Sequence, residues 1–240
     1  AYLRLLYHKK GEYSDELSRE GFKAEPAPEG NWSLNYSCLA VHRRGEWLAT
    51  AMGFSRYLWS TEGYIGANCF GRYLNHGNLQ ILGTGNPIDI FQSGFNQKGW
   101  DWNHIPGTTA AVLPMEKLKA DVRQVDSVSG YEEMLLSDES FAGSVSNGNR
   151  NGVFGMKLHE NEKYNGSLHA RKSYFFFDNR IIALGTGIKS VLRNAPVHTT
   201  LFQVYLADKN IPIHVNGKKI TNFPYHKRLK EKSTVLCDSK

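Results

Sequence analysis

From Trp32 to Val215 the sequence runs in short apolar or alternating stretches bounded by turn residues, and no stretch of helical period interrupts them. A chain patterned in this way has to pair its strands with one another and bury one face of each sheet. Ser33–Val41 alternates as a half-buried strand does, and Trp47–Met52 returns from the basic turn Arg44-Gly45-Glu46. Further strands are expected at Asn78–Leu82, Gly152–Leu158, Ser173–Asp178, Arg180–Thr186, Thr200–Leu206 and Ile211–Val215. Asp178-Asn179 lies between two runs rich in aromatic and β-branched residues, and Asn216-Gly217 between two shorter ones. Both pairs read as hairpin turns. Closely spaced strands without intervening helices predict a mainly β fold, a large antiparallel β-sandwich. The polar stretch Ser144–Gly152 reads as a loop, and no repeat of fixed period is present.

The one helical stretch precedes this region. Tyr2, Leu3, Leu5, Leu6 and Leu17 mark a helix over residues 2–20, broken near Gly11. A helix of that length is marginal alone in water and needs a surface to pack on. Glu25-Pro26-Ala27-Pro28-Glu29-Gly30-Asn31 then forms a turn-rich linker. The expected organisation is a helical end with linker over residues 1–24 and a sandwich domain over 25–240. The chain opens directly on an amphipathic pattern, as a mature or excised segment would.

Composition narrows the partners. The formal charge of +6, with nine neutral histidines, fits a polyanionic partner as well as it fits a merely basic soluble domain, and does not choose among nucleic acid, anionic polysaccharide and a membrane surface. No run of about 18 apolar residues occurs, so no helix here is expected to cross a bilayer. Paired RNP aromatics and zinc-finger spacing are missing, which argues against nucleic acid. Phosphate loops, Ser-His-Asp order, H-E-x-x-H and EF-hand spacing are missing too, so neither a cofactor nor a metal is expected. Cys38, Cys69 and Cys237 are odd in number with no metal-type spacing, and read as buried free thiols.

Three segments concentrate polar groups beyond what a core needs. Trp59-Ser60-Thr61-Glu62-Gly63-Tyr64 runs on to Asn68, Arg72 and Tyr73. It places a carboxylate beside aromatics and within a dozen residues of an arginine. Such a Glu orients a base or cation, or is an ordinary strand-end residue in an exposed ion pair. Tyr73-Leu74-Asn75-His76-Gly77 presents an amide and an imidazole to a ligand, or simply turns. Trp100-Asp101-Trp102-Asn103-His104 sets rings among amides, a combination that suits sugar faces and hydroxyls as well as it suits core anchoring. His42-Arg43-Arg44 is a basic cluster for a sulfated or carboxylated chain, or a solvated hairpin tip. In His169-Ala170-Arg171-Lys172, strand alternation puts His169 and Arg171 on one face and Lys172 on the other.

Read together, these segments resemble the chondroitin and hyaluronan polysaccharide lyases, most of all the broad-specificity chondroitin sulfate ABC type. Val41-His42-Arg43, Trp59-Ser60-Thr61-Glu62, Gly71-Arg72-Tyr73 through His76-Gly77, Gly99-Trp100-Asp101-Trp102-Asn103 and Thr199-Thr200-Leu201-Phe202-Gln203 carry the resemblance, in the family's order. Gly107-Thr108-Thr109 and Ala170-Arg171-Lys172-Ser173 add to it. The resemblance implies the last helix of a helical toroid followed by a central super-sandwich, cut short at its C-terminus. It implies β-elimination at hexosamine–uronate bonds of chondroitin or dermatan sulfate, in a secreted or periplasmic enzyme. Only Glu62 maps onto the family's catalytic set; its His, Tyr and Arg belong to the N-terminal helical domain, the implied partner of this chain. Asn75, His76, Trp100, Asn103, His104 and Arg43 are the candidates for contacting the anionic polysaccharide. A non-catalytic carbohydrate-binding sandwich and a purely supporting β-domain are the readings that compete with it.

Overall fold

The fold was analysed on a computed structural model, which describes residues 11–63, 66, 68–83, 93–120, 135–164, 166–206, 208 and 210–237. The apolar positions 2–6 of the expected N-terminal helix lie outside these residues. What is described of it is α1 (Glu12–Arg19). Glu12 and Asp15 stand in its first turn and Arg19 in its last, the polarity a helix dipole favours. The Ser14 hydroxyl accepts the Gly11 N–H at 2.9 Å and so relieves an orphan donor at the start. None of its residues is buried.

Two four-stranded antiparallel meanders follow. The first is β1 (Gly30–Leu34), β2 (Leu39–Arg44), β3 (Trp47–Met52) and β4 (Asn78–Leu82), paired in chain order. Here the single strand expected over Ser33–Val41 is corrected. A 3-10 turn over Asn35–Ser37 and a left-handed Cys38 (φ 44) fold the segment back, so Leu34 pairs with Leu39. Gly30 and Asn31, assigned to the linker, belong to β1.

The short β5 (Thr109–Ala111) and the single-turn α2 (Met115–Leu118) lie between the two meanders. The second meander is β6 (Ala142–Asn147), β7 (Asn151–His159), β8 (His169–Phe177) and β9 (Arg180–Lys189). Ser144–Gly152 is therefore not a loop but a β6–β7 hairpin, turned where Gly148 and Asn149 take positive φ. Asp178-Asn179 turns β8 into β9 as the sequence indicates, with Asp178 at φ 49. The strand expected at Thr200–Leu206 is absent from the described residues. Pairing ends just before it, in β10 (Val197–Thr199) against β5.

The core sits between the two meanders. Small residues of the first sheet (Ala40, Ala49, Ala51) meet Phe154, Met156, Tyr174 and Phe176 of the second, all fully or almost fully buried. Large side chains facing small ones let the two sheets interdigitate. This is the antiparallel sandwich the strand spacing predicts. A smaller cluster of Tyr73, Ile105, Ala110 and Leu118 underlies the irregular segments that follow β3 and β4.

The chain divides into two compact units, the first ending at Gln203. The second, from Val204, holds β11 (Ile213–Val215), β12 (Lys218–Ile220) and β13 (Leu236–Cys237) in the order β12-β11-β13. Its Asn216-Gly217 turn is the expected hairpin, both residues having positive φ. Of the three free thiols only Cys38 is buried; Cys69 is half-buried and Cys237 exposed, which corrects the expectation for the latter two.

Candidate functional site

Glu62 lies in the long irregular segment between β3 and β4. The frame around it is tight. Ser60 N–H donates to the Leu135 carbonyl at 2.9 Å, and the buried Asn75 amide donates to the Ser60 carbonyl. Asn68, itself left-handed at φ 49, donates to the Thr61 hydroxyl at 3.2 Å and to the Glu62 carbonyl. Thr61 in turn presses on Gly71, where an added Cβ would come within 2.3 Å of its hydroxyl. Glu62 itself is exposed between buried Thr61 and Gly63, and its carboxylate has no hydrogen-bond or ion-pair partner among the described residues. Exposed Tyr57 and Trp59 precede it. A fixed backbone thus presents an unpaired carboxylate.

The arginine expected near that carboxylate is engaged elsewhere. Arg72 pairs with Glu160 at 2.7 Å, with side-chain exposures of 5% and 2%. Its guanidinium stacks 3.5 Å from the Tyr164 ring centroid. Burial pushes the Glu160 carboxyl up, and the neighbouring Arg72 pulls against that rise without cancelling it.

His76 is a core residue and not part of a cleft edge. Its ring stacks on Phe54 (5.4 Å) and tilts against Tyr73 (5.0 Å). Burial, then the cations Arg72 and Lys172, hold it neutral, with a pKa lowered to about 3. The adjacent Asn75 is buried as well, and its bond to the Ser60 carbonyl makes it a support of the Glu62 segment.

The Trp100–His104 loop is cross-braced. Asn103 donates to the Leu113 carbonyl and accepts its N–H, at 2.9 and 2.8 Å, so both ends of its amide are structural. The Gln203 amide accepts from Asp101 N–H and donates to the Asp101 and His104 carbonyls, at 2.9, 3.1 and 3.0 Å. Trp102 stacks on Phe70, and half-buried Trp100 packs edge-on to Phe95. His104 is hydrogen-bonded through Nδ1 to Asp101 (2.6 Å) and through Nε2 to His198 (2.9 Å). Burial acts to raise the Asp101 carboxyl; hydrogen bonds from His104 and Asn103 overcome it and hold it below its ordinary range. The result is an Asp–His–His chain ending at the exposed imidazole of His198. Sequence reasoning did not select His198. Its link to His104 depends on the β10–β5 pairing, which sets His198 opposite Ala110.

The basic cluster at the β2 end is no open tip. His42 is buried, its Nε2 2.6 Å from the Asp178 carbonyl, and Arg44 pairs with the Asp178 carboxylate at 3.0 Å. Arg43 is half-buried beside them, and none of its contacts reaches the other candidates. The structure therefore brings Trp100, Asn103 and His104 together on one loop, ties Asn75 to the segment of Glu62, leaves His76 in the core, and sets Arg43 apart. Among the described residues no group of three or more His, Cys, Asp or Glu side chains is arranged to hold a metal.

The super-sandwich domain model of polysaccharide lyase family 8 matches residues 30–239, starting at the first residue of β1. The chain is 53% identical over 195 residues to a chondroitin sulfate ABC exolyase of Bacteroides thetaiotaomicron, covering 80% of this chain and 19% of that protein. It is 44% identical over 225 residues to the Proteus vulgaris chondroitin sulfate ABC exolyase, covering 90% and 22%. The solved chondroitin AC lyase of Streptomyces coelicolor A3, in complex with chondroitin sulphate, is similar with a TM-score of 0.60 at 25% identity, over 80% of this chain and 25% of that one. The chain thus spans about a fifth of the length of the curated relatives it matches.

Proposed function

The chain belongs to polysaccharide lyase family 8, and on that premise we propose that it is the sandwich part of a glycosaminoglycan lyase acting on chondroitin or dermatan sulfate. The reaction is β-elimination at the hexosamine–uronate bond. A base removes the uronate C5 proton, the electron pair becomes the C4–C5 double bond, the C4–oxygen bond breaks, and the leaving oxygen gains a proton. Transition-state charge gathers on the uronate carboxylate, so the reaction calls for a base, an acid and donors around that carboxylate. In this reading the proton-transferring His and Tyr and the Arg come from an N-terminal helical domain. This chain supplies Glu62, which holds the Tyr and Arg by hydrogen bonds, and a cleft wall with Trp100 and His104. The enzyme works outside the cytoplasm, secreted or periplasmic, where polysaccharide is met.

The observation that carries this reading is the Glu62 carboxylate, exposed and unpaired on a frame made rigid by Thr61, Asn68, Gly71 and Asn75. Glu46 and Glu116 are exposed as well; what sets Glu62 apart from them is the frame that fixes its backbone. The test is Glu62→Ala and Glu62→Gln in the complete enzyme, followed by the ultraviolet absorbance of the unsaturated product. Both variants are expected to lose most of kcat while their unfolding midpoints stay within about 0.5 kcal/mol of the parent, as surface changes do. Turnover near that of the parent would refute the role. The 240-residue chain alone is expected to form no product; binding of chondroitin sulfate by it without turnover in any longer form would favour the non-catalytic binding module.

A further inference from the structure

One buried cation of the sandwich has no anion beside it. Alternation along β8 turns His169 and Arg171 outward and Ala170 and Lys172 inward, leaving Lys172 only 2% exposed. Its ammonium donates to the Gly107 carbonyl and, at 3.0 Å, to the Thr109 hydroxyl. Both acceptors are neutral. The ion pairs among the described residues involve other cations, so the lysine charge is uncompensated. An ammonium has three donors, and two are accounted for.

Lys172 also borders a half-open pocket of about 90 Å³, walled further by Leu79, Tyr174 and Thr200, with exposed Ala183 and Leu184 at its rim. Thr200 is 8% exposed, and its buried hydroxyl has no partner. Its backbone is fixed by bonds to Thr108 and Gly107, at 2.9 and 2.8 Å, and the residue borders the same space as Lys172. The Tyr174 hydroxyl proton is directed at the Gly77 and Gly107 carbonyls, which leaves Lys172 and Thr200 as the donors.

We propose that this cavity binds a small, weakly hydrated monovalent anion of the halide class, with the Lys172 ammonium as counter-charge and the Thr200 hydroxyl as second donor. A buried ammonium with no counter-ion costs several kcal/mol, and an anion in contact repays much of that cost. Burial lowers the lysine to about 7, the behaviour of an amine short of compensating charge. The remaining walls are largely aliphatic, which disfavours a strongly hydrated divalent oxyanion that two donors cannot satisfy. A water needs roughly 10–15 Å³ of such space, so there is room for a halide and residual water.

The test compares thermal unfolding of the full chain in sodium bromide and in sodium gluconate at equal ionic strength, with bromide soaked into crystals for anomalous scattering. Expected are an anomalous peak between Lys172 and Thr200 and a rise in Tm that grows with the logarithm of bromide above the dissociation constant, roughly 3–6 °C at ten times that constant. Thr200→Val should shift the bromide midpoint upward by about tenfold, and Lys172→Met should abolish the response. Equal melting in the two salts, a cavity holding only water, or a bromide response undiminished in Lys172→Met would each overturn the proposal. Should Lys172→Met fail to fold, the soak and the Thr200→Val titration decide it.

Discussion

Replacing Arg72 by Met tests the central ion pair of the fold, and its size follows from geometry. Arg72 and Glu160 are both almost fully enclosed, 2.7 Å apart, and bridge segments 88 residues apart in the chain. The Glu160 Oε2 atom has no hydrogen-bond partner even with Arg72 in place. Removing the guanidinium strands a buried carboxylate, which costs about 3–5 kcal/mol. Removing both charges, as in Arg72→Met with Glu160→Leu, leaves nothing stranded and should cost less than either single change. Urea unfolding followed by tryptophan fluorescence gives the four corners of the cycle, with a coupling of about 2–4 kcal/mol expected. The sign with pH is fixed as well. In Arg72→Met the Glu160 carboxyl rises further above its unfolded value, so the deficit is full above the folded pKa and fades as pH falls toward 4.5. Additive costs in the cycle, or a deficit that deepens in acid, would refute the reasoning.

Lys172 has the opposite signature in halide-free buffer. Its folded pKa of about 7 lies below the ordinary 10.5, so the unfolded chain binds more protons between these values and stability rises across that window. The gain is on the order of a few kcal/mol, and Lys172→Met should flatten it in pH-dependent urea melts. Gly107→Ala sets a Cβ 2.3 Å from the Leu79 nitrogen at φ +81, and a loss of at least about 2 kcal/mol is expected in thermal unfolding. Asn103→Ala removes both bonds to Leu113 and should cost about 2 kcal/mol, with a raised KM as the Trp100–His104 loop loosens.

The sandwich was legible because its signals are local. Asn78–Leu82, the Asp178-Asn179 turn and the Asn216-Gly217 turn depend on a few adjacent residues and lie where pattern puts them. The misread segments are those in which polarity and backbone conformation part company. Cys38 looks like a strand residue yet takes the left-handed conformation that closes a turn. Ser144–Asn147 looks like a loop yet pairs with β7, because half-exposed strands admit serine and glycine. At the site the difficulty is similar. The polarity of Asn75, His76 and Asn103 is visible in sequence, but not that it is directed inward, at Ser60, the Phe54 ring and Leu113. Arg72 finds Glu160 and His104 finds His198 across 88 and 94 residues, distances over which no short motif speaks. Glu62 stands out among carboxylates only through resemblance; the structure adds its exposure and its lack of a partner among the described residues.

The two meanders also dictate an order of assembly. Apart from the long segment between β3 and β4, each is a set of neighbouring hairpins closed over short connections, whereas the contacts between them join residues more than 100 positions apart, such as Asn31 to Asn149 and His42 to Asp178. Local pairing can precede docking, but the alanine face of the first sheet gains little until the aromatic face of the second arrives. Chains dominated by such distant contacts fold on the millisecond-to-second scale. The His42 ring, enclosed only once Phe176 and Asp178 reach it, is the natural reporter of that final event.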